Sequence, residues 1–427
     1  MTRSRLPLRT TLAISAGKAA AATSRVSGKG EGMVVGGKVM LRCAPKALTD
    51  LAGDRVAALV SATNGKTSTT RLLATAVATT GSVVTQPTGA NMTAGVVSAL
   101  ALGDREAPAV LEVDEAYLPG IVDATSPKVI LLANLSRDQL DRMNEVAMLA
   151  RRWRTMLAEH PDVRVVANAD DPIVSFAAEQ APHVTWFAGG QVWTADSSVC
   201  PQCTNLLARD GSDWHCTGCD RRRPEPSWRL DWSGESGVAV GPDGRQFDLT
   251  GLGLPGRFNA SNATGALAVC AELSLDLDAC TAAMKTVTAV SGRYAILDVG
   301  ARRIRLLLAK NPAGWSELID VMPPAPTPVI ITINSNAADG RDPSWLWDVP
   351  FERLTGRTVI ATGDRRRDLA VRLLQAGVDH LVVEDPYAPN AVLPEGAKDL
   401  DVIDCAATYT AFHALRTRAD KEAGTSA

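Results

Sequence analysis

Val56 to Ala62 reads Val-Ala-Ala-Leu-Val-Ser-Ala and passes straight into Thr63-Asn64-Gly65-Lys66-Thr67-Ser68, then into Thr69-Thr70-Arg71-Leu72-Leu73. These residues dictate a buried strand that turns through glycine into a helix. Apolar runs recur at residues 109–113, 129–134 and 163–168, with helical stretches between them such as residues 146–159. Continuous apolar strands alternating with helices imply a parallel sheet covered on its faces by helices. Near residues 260–273 a helical pattern returns, and from about residue 290 a second α/β unit begins. Its strand candidates are residues 303–309, 328–334, 358–364, 380–385 and 400–406, with a helix at 368–377 and a Pro-rich loop at 321–328.

The chain has 427 residues, too many for one core. Hydrophobic residues at 46% and charged residues at 21% exclude disordered and collagen-like classes. Apolar runs are too short for a bilayer-crossing helix, so a cytoplasmic protein is expected. A net charge of -3 provides no global field that would draw the chain onto nucleic acid. Charge is nevertheless uneven: Arg3, Arg5, Arg9, Lys18, Arg25, Lys29, Lys38, Arg42 and Lys46 face Glu31 alone within residues 1–48. Lys18 interrupts the apolar run after Arg9 too early for a secretory signal. The segment reads as a solvated helix packed on the first domain, with contact to an anionic membrane surface as the alternative.

Eight cysteines divide into two groups. Cys43, Cys270, Cys280 and Cys405 are scattered in apolar surroundings, where a small buried thiol is expected. Cys200-Pro-Gln-Cys203 and Cys216-Thr-Gly-Cys219 are instead two CxxC pairs separated by twelve residues. A hairpin of that length brings four thiolates to the corners of a tetrahedron, the geometry preferred by Zn²⁺. With four sulfur ligands no position is left for water, so the metal is expected to be structural. Disulfides would fit poorly in a reducing compartment.

The loop from Thr63 to Ser68 carries the most chemistry. Backbone N–H groups at a helix N-terminus bind phosphate, Lys66 can meet the β and γ oxygens, and the Thr67 hydroxyl can hold Mg²⁺. Val60 stands where the common phosphate-loop spacing has its first glycine. At the end of the next strand come Glu112, Asp114 and Glu115. On an extended backbone Glu112 and Asp114 share one side, so that pair is a candidate Mg²⁺ site at the carboxyl ends of parallel strands.

Six segments occur in the order seen in Mur ligases, and with them the chain resembles that family. They are residues 63–68, the strand end at Glu112, Asn-Leu-Ser-Arg-Asp-Gln-Leu-Asp-Arg (134–142), Asn-Ala-Asp-Asp-Pro (168–172), residues 254–263 and Ser-Gly-Arg-Tyr (291–294). Within it, the four-cysteine ribbon, residues 307–314 and residues 339–348 look like the MurT branch, the synthetase subunits of lipid II isoglutaminyl synthase. The resemblance implies an α/β chain in three parts. A basic N-terminal segment (1–50) packs on the central domain, a Mur ligase-like parallel-sheet ATPase domain (51–289). That domain carries a four-cysteine zinc ribbon inserted at about 194–228. A C-terminal, partner-binding α/β domain follows (290–427). ATP, Mg²⁺ and structural Zn²⁺ are the implied cofactors.

By the same resemblance Lys66 and Thr67 serve the ATP phosphates and Mg²⁺, and Glu112 holds a magnesium ion. Asn259 and Asn262 lie by the adenine, Arg293 reaches the nucleotide, and Asp170 and Asp171 shape its pocket. Three departures separate this chain from amino-acid-adding ligases. Gln139 replaces a metal-binding histidine, residues 143–157 contain no lysine, and Lys310 stands where the ligases carry histidine. The implied reaction is amidation of the α-carboxyl of D-glutamate in the lipid II stem peptide, through an acyl phosphate attacked by ammonia. No cysteine here makes a convincing glutaminase nucleophile, so the resemblance supplies a separate class I glutaminase subunit of the GatD type, forming a heterodimer. Its catalytic histidine is oriented by an aspartate of this chain: Asp348, with Asp339 and Asp342 as alternatives. Trp345 and Trp347 beside Asp348 suit an interface, and Arg221, Arg222 and Arg223 suit the pyrophosphate of lipid II. Peripheral contact with the inner face of the plasma membrane would accompany a lipid substrate. The alternatives are a stand-alone ligase of the Mur or folylpolyglutamate type and a zinc-ribbon nucleic-acid-binding ATPase; between the cysteine pairs only Arg209 opposes two aspartates, a poor match to phosphate.

Overall fold

The structure, a computed structural model, describes residues 6–26, 32–87, 89–137, 146–190, 193–234, 236–288, 294–394 and 396–424. Two compact units divide the chain: residues 1–136 with 144–288, and residues 137–143 with 289–427.

The first unit is built on strands β1 (Val56–Ser61), β2 (Ala109–Glu112), β3 (Val129–Leu132), β4 (Arg164–Asn168) and β5 (Val184–Ala188). The first three are buried along their whole length, as continuous apolar runs require between helical layers. β1 lies between β2 and β3, and β1 to β5 pair in parallel. The chain leaves β1 toward one neighbour and returns on the other side, so β1 marks a switch point. Ligands gather there, outside the strands' carboxyl ends.

After β5 comes a small separate hairpin, β6 (Leu207–Asp210) with β7 (Asp213–Cys216). The main sheet then continues in β8 (Trp228–Ser233), β9 (Ser236–Val240) and β10 (Gln246–Asp248), giving eight strands in the order β10-β9-β8-β5-β4-β3-β1-β2. β8 is parallel to β5, with Phe187 opposite Trp228, whereas β9 and β10 are antiparallel. The sequence pattern does not announce these last three strands: β8 alternates buried and exposed positions, and β10 is only three residues long.

Helices α1 (Leu8–Val26), α2 (Met33–Cys43) and α3 (Ala47–Ala52) precede β1. α4 (Lys66–Val77) follows the phosphate loop, and α5 (Thr93–Leu102) precedes β2. Leu48, Leu51, Leu100, Leu111, Ile130 and Trp153 belong to the core beneath one face of the sheet.

The second unit holds a six-stranded sheet. β11 (Tyr294–Val299) and β12 (Arg302–Leu308) form an antiparallel hairpin; β13 (Val329–Thr332), β14 (Val359–Thr362), β15 (His380–Val382) and β16 (Ile403–Ala407) complete the order β11-β12-β16-β13-β14-β15. All pairings except the hairpin are parallel. Trp315, Trp345 and Phe351 centre one hydrophobic cluster, and Ile304, Cys405 and Phe412 another.

Candidate active site

In the first unit, the loops after β1, β2, β3 and β4 meet at one end of the sheet. Gly65 has φ of 80°, a left-handed conformation natural to glycine, and opens α4. A Cβ at Gly65 would lie 3.0 Å from Asn262 Nδ2, so the helix carrying Asn262 (Arg257–Glu272) closes directly over the loop. Asn259 is hydrogen-bonded to Asn262 and to the Pro255 carbonyl, and both asparagines are buried.

Thr63 and Asn64 hold the loop in place. The Thr63 hydroxyl donates to the Ser136 carbonyl at 3.1 Å and accepts the Ser136 N–H at 3.0 Å. Asn64 N–H donates to the Asn134 side-chain carbonyl at 2.8 Å, and the Asn134 amide returns a bond to Asn64 O at 3.0 Å. The Asn134-Leu135-Ser136 turn thus braces the loop. The residues were visible in the sequence, but their partners lie some 70 positions away.

Lys66 is buried, and its ammonium donates to Glu115 Oε2 at 2.8 Å and to the Ala62 carbonyl. Glu115 is a site residue whose role the sequence did not reveal; its backbone carbonyl is fixed by Trp153 Nε1 at 2.9 Å. The expected pairing of Glu112 with Asp114 is not what forms. β2 stops at Glu112, and Asp114 turns to accept the Ala116 N–H. Glu112 is 1% exposed and clamped at its backbone by both ends of the Gln86 amide. A Cβ on Gly89 would lie 3.5 Å from Glu112 Oε1 and 3.8 Å from Thr67 Oγ1, so carboxylate and hydroxyl converge on one spot. A hard cation with oxygen ligands fits that donor set. Ser68 lies half-buried in the first turn of α4.

Asp171 and Asp170 tie this loop cluster to the four-cysteine hairpin. Asp171 accepts Leu135 N–H at 2.9 Å and caps the helix Pro172–Ala178 through Ile173 and Val174 N–H. Complete burial raises its carboxyl to about 6, against those three donors. Asp170, 1% exposed, accepts Gly189 and Gly190 N–H on one oxygen and both Nε and Nη2 of Arg223, at 2.8 and 2.7 Å, on the other. Trp214 donates to Ala169 O at 2.9 Å, and Arg221 pairs with Glu179. Arg221 and Arg223 are therefore paired with carboxylates of the chain itself, Glu179 at the surface and Asp170 in the interior, which corrects their assignment to a lipid pyrophosphate; Arg222 alone of the three is exposed.

The ligand atoms of Cys200, Cys203, Cys216 and Cys219 all lie within 4.8 Å of one another. Cys200–Cys219 and Cys203–Cys216 approach to 3.8 and 3.3 Å. A tetrahedral site with bonds of about 2.3 Å needs sulfurs about 3.8 Å apart, so the cluster could hold such an ion. Of the other cysteines, Cys270, Cys280 and Cys405 are buried, but Cys43 is exposed at the end of α2, contrary to expectation.

In the second unit, Asn311 caps the helix Pro312–Asp320 through Gly314 N–H, next to half-buried Lys310. Asp339 is buried and accepts bonds from Asn336 N–H and from the N–H and hydroxyl of Thr410. Asp342 is exposed and caps the Ser344 turn. Asp348 is also exposed, 3.5 Å from Arg137. Of the neighbouring tryptophans only Trp347 faces solvent; Trp345 stacks on Trp315 at 6.2 Å in the core, which removes it from any interface.

Known proteins resemble both units in sequence and in fold. Residues 60–270 match the Mur ligase middle domain and residues 308–412 the MurT ligase C-terminal domain. The lipid II isoglutaminyl synthase (glutamine-hydrolyzing) subunit MurT of Streptococcus pneumoniae is 29% identical, over 96% of each chain. Its counterpart in Staphylococcus aureus is 30% identical, over 78% of this chain and 80% of that one. The chain belongs to the MurT family. Among solved structures, a pseudomurein peptide ligase type C from Methanothermus fervidus superposes with a TM-score of 0.66 at 17% identity, over 87% of this chain and 79% of that one, which shows the shared Mur ligase fold. Mur ligases use ATP and Mg²⁺. In this MurT-family chain Gln139 and Arg293 lie outside the described residues.

Proposed function

We propose that this chain is the ATP-dependent synthetase of a lipid II isoglutaminyl synthase. It converts the α-carboxyl of D-glutamate in the stem peptide to the amide of D-isoglutamine, with ammonia from a GatD-type glutaminase subunit. The observation that carries this reading is the convergence of Thr67 and Glu112 beside a phosphate loop, in a chain whose second unit matches the MurT ligase C-terminal domain.

A carboxylate resists amines because its charge is delocalised. Its oxygen attacks the γ-phosphorus of ATP, ADP departs, and the acyl phosphate keeps phosphate as a good leaving group. Ammonia then attacks the carbonyl carbon, the C–O bond to phosphate breaks, and the nitrogen loses a proton. Loop amides and Lys66 offset charge on the transferring phosphoryl group, and Lys66 must exchange Glu115 for phosphate oxygens as nucleotide enters. Mg²⁺ held by Thr67 and Glu112 would neutralise developing charge. Asn259 and Asn262 close the nucleotide pocket beside the loop; a nucleotide-binding role for Arg293 rests on the family resemblance alone. Zn²⁺ on the four cysteines holds the ribbon together.

Asp348 is the aspartate offered to the glutaminase histidine: Asp339 is buried and held by Thr410, Asp342 is exposed but caps its own turn, and Asp348 is exposed with only Arg137, at 3.5 Å, approaching its carboxylate among the described residues. The C-terminal unit, residues 290–427, carries that partner-binding role; residues 51–289 carry ATP. The reaction takes place at the inner face of the plasma membrane, where a lipid-linked substrate resides.

Mass spectrometry of lipid II incubated with ATP, Mg²⁺ and ammonium tests the reading. The expected product has one hydroxyl replaced by an amino group, with ADP formed in equal amount, and Lys66→Ala abolishes both. Unchanged lipid II, with ammonium and with glutamine plus the partner subunit, overturns it.

A further inference from the structure

α1 does not look like an ordinary surface helix. Its buried side is Thr10, Ala13, Gly17, Ala21 and Ser24, packed on the domain. Opposite that side, where a surface helix places its charges, stand Leu8, Leu12, Ala19, Ala22 and Val26, all exposed. Leu8 is 75%, Leu12 62% and Val26 91% exposed. At 100° per residue the three charged residues, Arg9, Lys18 and Arg25, fall on the two flanks. The remaining outer positions are hydroxyls already satisfied within the helix: Thr11 bonds to Pro7 O, Ser15 to Thr11 O and Thr23 to Ala19 O. Moving them out of water therefore leaves no donor stranded.

The helix is held rigidly. α2 packs against α1 and sits on α5 so closely that a Cβ at Gly37 would lie 1.8 Å from Ala94 O, and Ser98 donates to Met33 O at 2.7 Å. Val34 and Val35 of α2 are also exposed. Among the described residues from 6 to 46 there are six basic side chains and no acidic one.

We propose that the outer face of α1 docks on an anionic lipid bilayer, its apolar residues entering the headgroup boundary and its flanking cations meeting lipid phosphates. An uncharged stripe flanked by Arg9, whose Nε also donates to Cys43 O, on one side and by Lys18 and Arg25 on the other is complementary to such a surface. An acidic protein would leave the leucines without a use, and a second copy would bring like charges together. The proposal deepens the lipid-substrate reading given above by naming the surface that brings the enzyme to its substrate.

The test is co-sedimentation of the full chain with vesicles of phosphatidylcholine alone and of phosphatidylcholine with phosphatidylglycerol. Binding is expected to the anionic vesicles only and to weaken with salt. Leu12→Glu combined with Ala19→Glu should reduce partitioning about tenfold or more without changing the melting temperature, because both positions are exposed and glutamate favours helix. Equal binding by this variant overturns the proposal. So does failure of the parent to bind, or self-association that the variant abolishes in the absence of vesicle binding. The assay counts bound protein and needs no turnover. A chain that binds vesicles but cannot amidate lipid II refutes the catalytic reading alone, and one that amidates without binding refutes the docking surface alone.

Discussion

Glu317 is half-buried on the helix Pro312–Asp320, and the loss of solvent around its carboxyl raises it to about 7. A carboxyl whose pKa is higher in the folded than in the unfolded chain holds its proton more tightly when folded, so its contribution to stability is lost as pH rises from about 4.5 to about 7. Glu317→Gln should therefore match the parent near pH 4.5 and exceed it in stability at pH 8, as read by denaturant unfolding at both values. A variant less stable at pH 8 would show that the ionised group has a favourable partner. The Lys66–Glu115 pair illustrates why single positions are hard to read from sequence. The loop lysine was evident from its neighbours, but its resting partner comes from the turn after β2. Strand alternation would point Glu115 away from Glu112 and Asp114, but β2 ends at Glu112 and the turn beyond it brings Glu115 to Lys66.

Among the elements, the cysteine hairpin has a role that its motif did not disclose. Arg223 bonds to Asp170, the next residue Asp171 accepts the Leu135 N–H, and the turn at Leu135 braces Thr63 and Asn64, so hydrogen bonds and short backbone steps connect the hairpin to the phosphate loop. Loosening the hairpin should misplace the phosphate loop as well as destabilise the domain. Arg223→Ala, and removal of metal by a chelator, should each raise the KM for ATP on the order of tenfold. Arg223→Lys, which keeps the charge but not the two N–H donors that converge on one Asp170 oxygen, should fall between. A lowered melting temperature with unchanged KM would reduce the hairpin to a stabilising role. The CxxC spacing was legible because metal chemistry fixes it locally. The arginine that transmits its effect was not, since pairing with Asp170 spans 53 residues and depends on the folded sheet. The same contrast holds for strands: β1, β3 and β13 were legible as continuous apolar runs, whereas β8 to β10, carrying Arg229, Asp231 and Asp248 on their outer sides, were not.

For the molecule as a whole, two α/β units in one chain match a division of labour between activating a carboxyl group and receiving nitrogen. Asp348→Asn should abolish glutamine-dependent amidation in the presence of the partner subunit while leaving ammonium-dependent amidation within about twofold of the parent, the range of an exposed substitution. Equal loss with both nitrogen sources would remove Asp348 from the partner's triad. The order of the units was legible because apolar runs mark each sheet, but the exposure of Asp348 and the burial of Trp345 were settled only by packing around Trp315. β5 and β8 run in the same direction side by side, so the chain must travel back along the sheet between them, a return that α/β proteins usually make with a helix. Here the cysteine hairpin lies on that return path. An engineer who excised it and joined the ends would leave two strands with no way to be neighbours, so a trimmed version of this enzyme would need a replacement bridge as long as a βαβ crossover.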